Sequence, residues 1–448
     1  LTALFTAADL ARAAGGVMTK PFHADGVSID TRSIQKGDLF VALDTGARDG
    51  HDFVGDALHK GAAGALVHRQ DGMPDGAPLL VVGDTLAGLT SLGAFSRTRF
   101  TGSVAAITGS VGKTTCKEML RAMLGACGRT HAAQASYNNH WGVPLTLARL
   151  PAEFDYAVIE IGMNHPGEIA PLARLASPDV ALITAVASAH IGHMGSLEAI
   201  ADEKASIAQG VLQGGALVLP AHAGLHERMA ARADGVRVFS FSDADLRHVA
   251  EDADGSDVVA TIAGETWHFR VAAPGRHMVM NALASLTVVH AMGADLHAAC
   301  DALAGFRPVE GRGHKRSIMG GRAVLLDESY NASGASMRAA LAVLKLQPAR
   351  RRIAVLGDML ELGDHSRAEH LQLAEPVANA ADLLYACGPW SRLLFEAVAP
   401  HRQGGYAADS KILADMLVSD VRDGDVILVK GSLGSRMRVI VDALENHG

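Results

Sequence analysis

The chain has 448 residues, of which 49% are hydrophobic and 20% charged. That balance suits a soluble globular protein, and the length suits roughly two to four domains. A net charge of −8 argues against non-specific nucleic-acid binding, though it leaves room for a local basic pocket. No apolar run approaches membrane-spanning length, and the first residues lack a basic-then-apolar signal pattern. Cys116, Cys127, Cys300 and Cys387 form no CxxC pair and read as small hydrophobes in a reducing compartment. A cytoplasmic monomer, with no nucleic-acid partner and no membrane insertion, is the expectation.

In chain order, residues 1–98 contain short strands and helices around Asp30-Thr31-Arg32 and Asp49-Gly50-His51-Asp52-Phe53. Residues 99–313 open on the apolar run 104–107, which reads as a buried strand. The segment Gly109-Ser110-Val111-Gly112-Lys113-Thr114-Thr115 follows, and then Met119, Leu120, Met123, Leu124 and Cys127 recur at helical spacing. Apolar runs at 156–161, 180–186 and 216–219 alternate with helical segments, which predicts an α/β domain with a doubly wound, mainly parallel sheet. Residues 314–448 repeat the style with runs at 323–326, 352–356, 383–386 and 426–429, a second, Rossmann-like α/β unit. The first block is then a small α/β domain, and Gly311-Arg312-Gly313 is a plausible hinge.

The glycine loop carries the clearest chemistry. Between a strand and a helix start, it presents backbone N–H groups and a positive helix end to phosphate. Lys113 would reach the outer phosphates, and Thr114 would hold Mg²⁺. The loop is a shortened form, because an ordinary P-loop needs glycine where Ile107 stands. ATP is the nucleotide this predicts.

Other polar residues fall at strand ends, where open parallel sheets bind ligands. Glu160 closes one strand and could bind Mg²⁺, or it could sit in solvent. His190 lies in a loop after another strand and, as one of 21 histidines, reads more simply as a hydrogen-bonded loop residue. Lys204, within Ala201-Asp202-Glu203-Lys204, reads by default as a surface lysine. Asn281 could read an adenine edge or cap a helix. Arg312, between glycines, suits a bidentate grip on phosphate, and Asp327 could take a ribose hydroxyl.

Taken in this order, Thr108–Thr115, Glu160, the His190 loop, Lys204, the Asn281 segment, Glu310-Gly311-Arg312-Gly313 and 327–332 resemble the Mur ligases. These are ATP-dependent amide ligases that build peptidoglycan precursors. Three further segments are similar to the branch that joins D-alanyl-D-alanine to a UDP-N-acetylmuramoyl-tripeptide. They are 136–147, Leu356-Gly357-Asp358-Met359-Leu360-Glu361-Leu362-Gly363, and Val429-Lys430-Gly431-Ser432. The Asp-Asn-Pro-Arg motif of the sister ligase that adds the third residue is absent from the sequence.

The resemblance implies roles. Gly109, Ser110, Gly112, Lys113, Thr114 and Thr115 would hold ATP, together with Asn281, Arg312 and Asp327. Thr114, Glu160, His190 and a carbamylated Lys204 would hold two Mg²⁺ ions, and Lys113, His190, Lys204 and Arg312 would serve catalysis. Substrate would meet Thr31, Arg32, Asn138, Asn139, Asn331, Asp358 and Lys430. Thr31-Arg32 matches the family's Asp-Ser-Arg element with Thr for Ser, which keeps the hydroxyl. The resemblance further implies a first domain that binds the uridine nucleotide and a last domain that rotates onto the central one. A related ligase adding a single amino acid is the near alternative. A folate ligase fits less well, because such enzymes resemble only the later two blocks. An ATP-dependent binding protein or switch is the alternative of another class.

Overall fold

The computed structural model describes residues 3–188, 191–222 and 224–447. Its centre is a six-stranded, wholly parallel sheet, which runs Arg237–Phe241, Ala216–Pro220, Val180–Ile183, Ser103–Thr108, Tyr156–Glu160 and Thr130–Ala132 from edge to edge. The inner strands are the apolar runs of the sequence. They are buried on both faces, so Ala105 and Ile107 join one core while Val104 and Ala106 join the other. Burying one such Ile or Leu is worth about 1.5–3 kcal/mol.

One face is covered by the helices Lys113–Cys127 and Arg276–Ala291, the other by Ile169–Ala176 and Leu197–Ala205. The chain leaves Ser103–Thr108 for strands on one side and later returns to the other. The carboxyl end of this strand is therefore a topological switch point, where a crevice opens.

A five-stranded sheet lies before it, in the order Val17–Met18, Leu79–Val81, Gly64–Val67, Asp38–Val41 and Gly26–Ser28. The helix Thr85–Arg99, capped by Asp84, carries the chain from this sheet to the centre. It packs on the helix Gly142–Ala148, and Gly93 permits the approach: a Cβ there would stand 2.9 Å from the Pro144 carbonyl oxygen. Arg97 pins the helix end by donating to the carbonyls of Ala176 at 2.8 Å and Ser177 at 2.7 Å.

The last sheet runs His314–Ile318, Ala323–Glu328, Asp425–Lys430, Arg351–Gly357, Leu383–Cys387 and Gln403–Ala407. Only its first strand is antiparallel. A three-stranded antiparallel sheet, Leu246–Glu251, Ser256–Ile262 and Glu265–Val271, was not expected from the sequence. It shares the central core, and its turn reaches the last domain. There Lys315 Nζ meets Asp254 Oδ1 at 2.7 Å, and Gln347 donates to the Ala253 carbonyl at 3.1 Å. Cys116, Cys300 and Cys387 are buried and Cys127 partly so, all as free thiols. Among the described residues no helix is long and apolar enough to cross a membrane.

Candidate active site

The loop after Ser103–Thr108 is built from glycine geometry. Gly109 has φ 150° and Gly112 φ 88°. A Cβ on Gly109 would collide with the Thr184 hydroxyl, and one on Gly112 would stand 2.6 Å from Asn281 Oδ1. The loop is tied down by its neighbours. Ser110 N–H donates to the Ala185 carbonyl at 2.8 Å, and Thr184 Oγ1 donates to the Val111 carbonyl at 2.5 Å. The helix Lys113–Cys127 starts at once and its N-terminus has no side-chain cap, so its N–H groups and its positive end face the cleft. Lys113 arches back to donate to the Gly109 carbonyl at 2.7 Å. Burial lowers its proton affinity. Glu160 works against that shift, and the charge of Arg312 adds to it.

Glu160 ends its strand beside this loop and is 2% exposed. Its Oε1 accepts from Asn138 Nδ2 at 2.7 Å, Ser136 Oγ at 2.9 Å and Thr114 Oγ1 at 3.1 Å. Its Oε2 is buried with no hydrogen-bond partner among the described residues. A buried carboxylate oxygen that faces no donor is what a hard divalent cation satisfies, and Thr114 supplies a second oxygen next to it. Among the described residues no three His, Cys, Asp or Glu side chains form a ready metal site. A cation here would therefore draw on Glu160, Thr114 and oxygens brought by a ligand.

Lys204 is not the surface lysine that its local sequence suggested. It is 1% exposed, on the buried face of the helix Leu197–Ala205. Burial first, and then the charge of Lys113, holds its proton affinity well below the usual range. No described residue offers its ammonium a hydrogen bond or ion pair. His190 lies outside the described residues.

The opposite wall comes from the last domain. A cleft of ≈ 690 Å³ is lined by Ser110, Gly112, Lys113, Thr115, Asn138, Asn139, His277 and Asn281 on one side, and by Arg312, Glu328, Asn331, Leu360, Glu361 and Lys430 on the other. His277 and Asn281 stand one turn apart on Arg276–Ala291. Asn139 also accepts the Gly142 N–H at 2.9 Å, which fixes its loop. Lys430 Nζ bonds Glu328 Oε2 at 3.1 Å and the Asn331 carbonyl at 3.0 Å.

Two expected ligand residues are not in the wall. Asp327 is fully buried with both oxygens taken. Oδ1 accepts from Ser329 Oγ at 2.6 Å, and Oδ2 accepts from Arg316 at 2.8 Å and from the Gly311 N–H at 3.1 Å. It ties the Gly311 segment to its own strand and is not among the residues lining the cleft. Strand alternation sends its neighbour Glu328 to the cleft instead. Asp358 is likewise turned away. It caps the helix Pro389–Ala397 by accepting from Ser391 N–H at 2.7 Å. Thr31 and Arg32 stand apart from the cleft on the first domain, where Arg32 is exposed and paired with Asp30 at 2.6 Å.

Sequence reading gave no role to Ser136, Lys117 or Glu328. Lys117 is fully buried and donates to the carbonyls of Ala133 at 2.7 Å and Ala135 at 3.1 Å. It thereby positions the loop that carries Ser136 and Asn138. The available signal was helical spacing, which puts Lys117 on the face of Leu120 and Leu124.

Comparisons with known proteins agree with this geometry. Residues 23–86 match the model described as the Mur ligase family, catalytic domain; 107–289 match the Mur ligase middle domain; and 311–433 match the Mur ligase, glutamate ligase domain. The UDP-N-acetylmuramoyl-tripeptide–D-alanyl-D-alanine ligase of Escherichia coli K12 is 36% identical, over 95% of this chain and 94% of its own. The protein of that name from Bacillus subtilis 168 is 31% identical, over 98% of each. Among solved structures, MurF from Acinetobacter baumannii superposes with a TM-score of 0.87 at 28% identity, covering 99% of both chains. MurF ligase from Thermotoga maritima, in complex with ADP, gives 0.78 at 25% identity, over 94% of this chain and 97% of that one. With relatives above 30% identity along almost their whole length, and with a phosphate loop facing a second α/β domain across one cleft, the chain belongs to the Mur ligase family.

Proposed function

We propose that this chain joins D-alanyl-D-alanine to the free carboxylate of a UDP-N-acetylmuramoyl-tripeptide at the expense of ATP. The observation that carries the reading is the single cleft. It gathers the phosphate loop and the unpaired Arg312 between two domains, and its lining residues Ser136 and Asn138 hold the half-satisfied Glu160 behind it. Full-length relatives of that name support the substrate assignment.

A carboxylate does not condense with an amine in water, because oxide is a poor leaving group. Transfer of the γ-phosphoryl group to the carboxylate gives an acyl phosphate. The dipeptide's free amine then attacks the acyl carbon, phosphate leaves from the tetrahedral intermediate, and the amine's proton is released. Both reactants of the first step are anions. In this reading Lys113 and Arg312, on opposite walls, bind the transferring group and offset the repulsion. The open N-terminus of Lys113–Cys127 holds the remaining phosphates, and Asn281, beside Gly112, is assigned to the base. Thr114 and Glu160, with His190 as the further family ligand, would hold Mg²⁺, which would supply charge neutralisation for the phosphates. Carbamylation would turn Lys204 from a buried cation into an anion able to support a second Mg²⁺. Its burial with no ion pair to a described residue favours that change.

The uridine nucleotide is assigned to the domain 1–98 around Thr31 and Arg32, ATP to 99–313, and the dipeptide to 314–448 near Asn331, Leu360 and Lys430. The reading is tested by incubating the protein with ATP, the UDP-muramoyl tripeptide and D-alanyl-D-alanine. Phosphate release that requires both substrates supports it. Release that ignores either one, or none at all, rejects it.

A further inference from the structure

Arg312 is an arginine without an acid. Its side chain makes no hydrogen bond or ion pair to any described residue, although carboxylates surround its segment. Glu310 pairs with Arg438 at 3.3 Å and Arg316 at 3.7 Å. Asp327 is taken by Arg316, Ser329 and Gly311. Glu328 is taken by Lys430. What Arg312 has is a ring: its guanidinium carbon lies 4.2 Å from the centroid of Tyr330.

We propose that Tyr330 is a positioning residue for the ligation step, seating Arg312 by its aromatic face so that the guanidinium enters the cleft held but not neutralised. The proposal rests on the reading of this cleft as an ATP-dependent ligase site. A carboxylate in the same place would orient the arginine equally well, but it would compete with the phosphoryl group and cancel the charge that the group needs. A ring face attracts the cation through its quadrupole and leaves the N–H donors on the guanidinium edge free.

Three features fit the role. Tyr330 is 39% exposed and lines the same cleft as Arg312 and Lys113. Its N–H donates to the Gly311 carbonyl at 3.2 Å, so the segments bearing ring and guanidinium are fastened to each other. Gly311, at φ 73°, leaves room for this, since a Cβ there would stand 3.0 Å from that of Tyr330.

The test compares Tyr330→Phe, Tyr330→Leu, Arg312→Ala and Tyr330→Leu/Arg312→Ala in the full chain, assayed for ligation with all three substrates. Tyr330→Phe keeps the face and should stay within about twofold of the parent, whereas Tyr330→Leu should lower kcat by about tenfold, a loss in the range of a desolvated cation–π contact. The KM for the dipeptide should change little, and the melting curve should be preserved. The double variant should be no worse than Arg312→Ala, because the ring acts only through the arginine. Full activity in Tyr330→Leu, an equal loss in Tyr330→Phe, or additive losses in the double variant would overturn the proposal. An inactive parent protein, or an unaffected Arg312→Ala, would instead bring down the reading on which it rests.

Discussion

Replacing Glu160 by Gln separates the charge of this side chain from its hydrogen bonds. The amide oxygen can accept the same three bonds, from Thr114, Ser136 and Asn138. The amide nitrogen then takes the position of Oε2, which has no partner among the described residues. An unpaired buried donor costs about 1–3 kcal/mol, and loss of a buried unpaired charge returns an amount of the same order. The free protein should therefore change by no more than about 1 kcal/mol, whereas Glu160→Ala strands three donors and should cost about 3 kcal/mol or more. With nucleotide the order reverses. MgATP at a hundred times its Kd stabilises the parent by about 2.7 kcal/mol. Even an outer partner of a metal site is worth 10–100-fold in affinity. A hundredfold loss in the Gln variant leaves only about 0.4 kcal/mol at the same MgATP concentration. Thermal denaturation with and without MgATP reads both quantities. A Gln variant that keeps the full MgATP shift, or that is as unstable as the Ala variant without it, would refute the assignment of Oε2 to a cation.

Lys113→Ala should lower kcat by about 10²–10³-fold, as loss of one preorganised donor to the transferring charge does. The melting temperature should not fall, because burial already works against this cation. A destabilised variant would make Lys113 a structural residue. Carbon-13 bicarbonate should give the protein a carbamate resonance that Lys204→Arg lacks; its absence from the active parent would exclude the modification. His370 gives a pH test. It is buried, with Nδ1 2.7 Å from the Ser366 carbonyl, and its Nε2 accepts the Met359 N–H at 3.0 Å, behind the loop that bears Leu360 and Glu361. Burial lowers its proton affinity, against the pull of Ser366, Asp358 and Glu369. The unfolded chain therefore takes up this proton first as pH falls through the ordinary histidine range, and the stability that the neutral ring contributes declines. The stability advantage of the parent over His370→Gln, from urea midpoints, should shrink between about pH 7 and pH 5. An advantage that stays constant or grows would contradict the neutral, accepting ring.

The parallel strands were legible because a strand buried on both faces is an unbroken apolar run, as at Ser103–Thr108 and Asp425–Lys430. The antiparallel sheet was not. Leu246–Glu251 is mostly solvent-facing and carries little apolar signal. In the site, the glycine loop, Glu160 and Arg312 announced themselves by local chemistry. Lys204 hid behind acidic neighbours, although Ile200 four residues earlier marks the same buried face. Asp327 and Glu328 are adjacent acids, and only the side facing the core tells them apart. The role of Asp358 depends on a helix that starts 31 residues later in the sequence, at Pro389, a contact that no local pattern encodes.

The central claim is that the cleft spends ATP on activating a carboxylate. The most direct measurement uses tripeptide substrate labelled with heavy oxygen in its terminal carboxylate, with mass analysis of the phosphate released during ligation. An acyl phosphate leaves one carboxylate oxygen on the departing phosphate, so one labelled oxygen should appear per phosphate and one should remain in the new amide. Phosphate without label, released together with ligated product, would contradict the account.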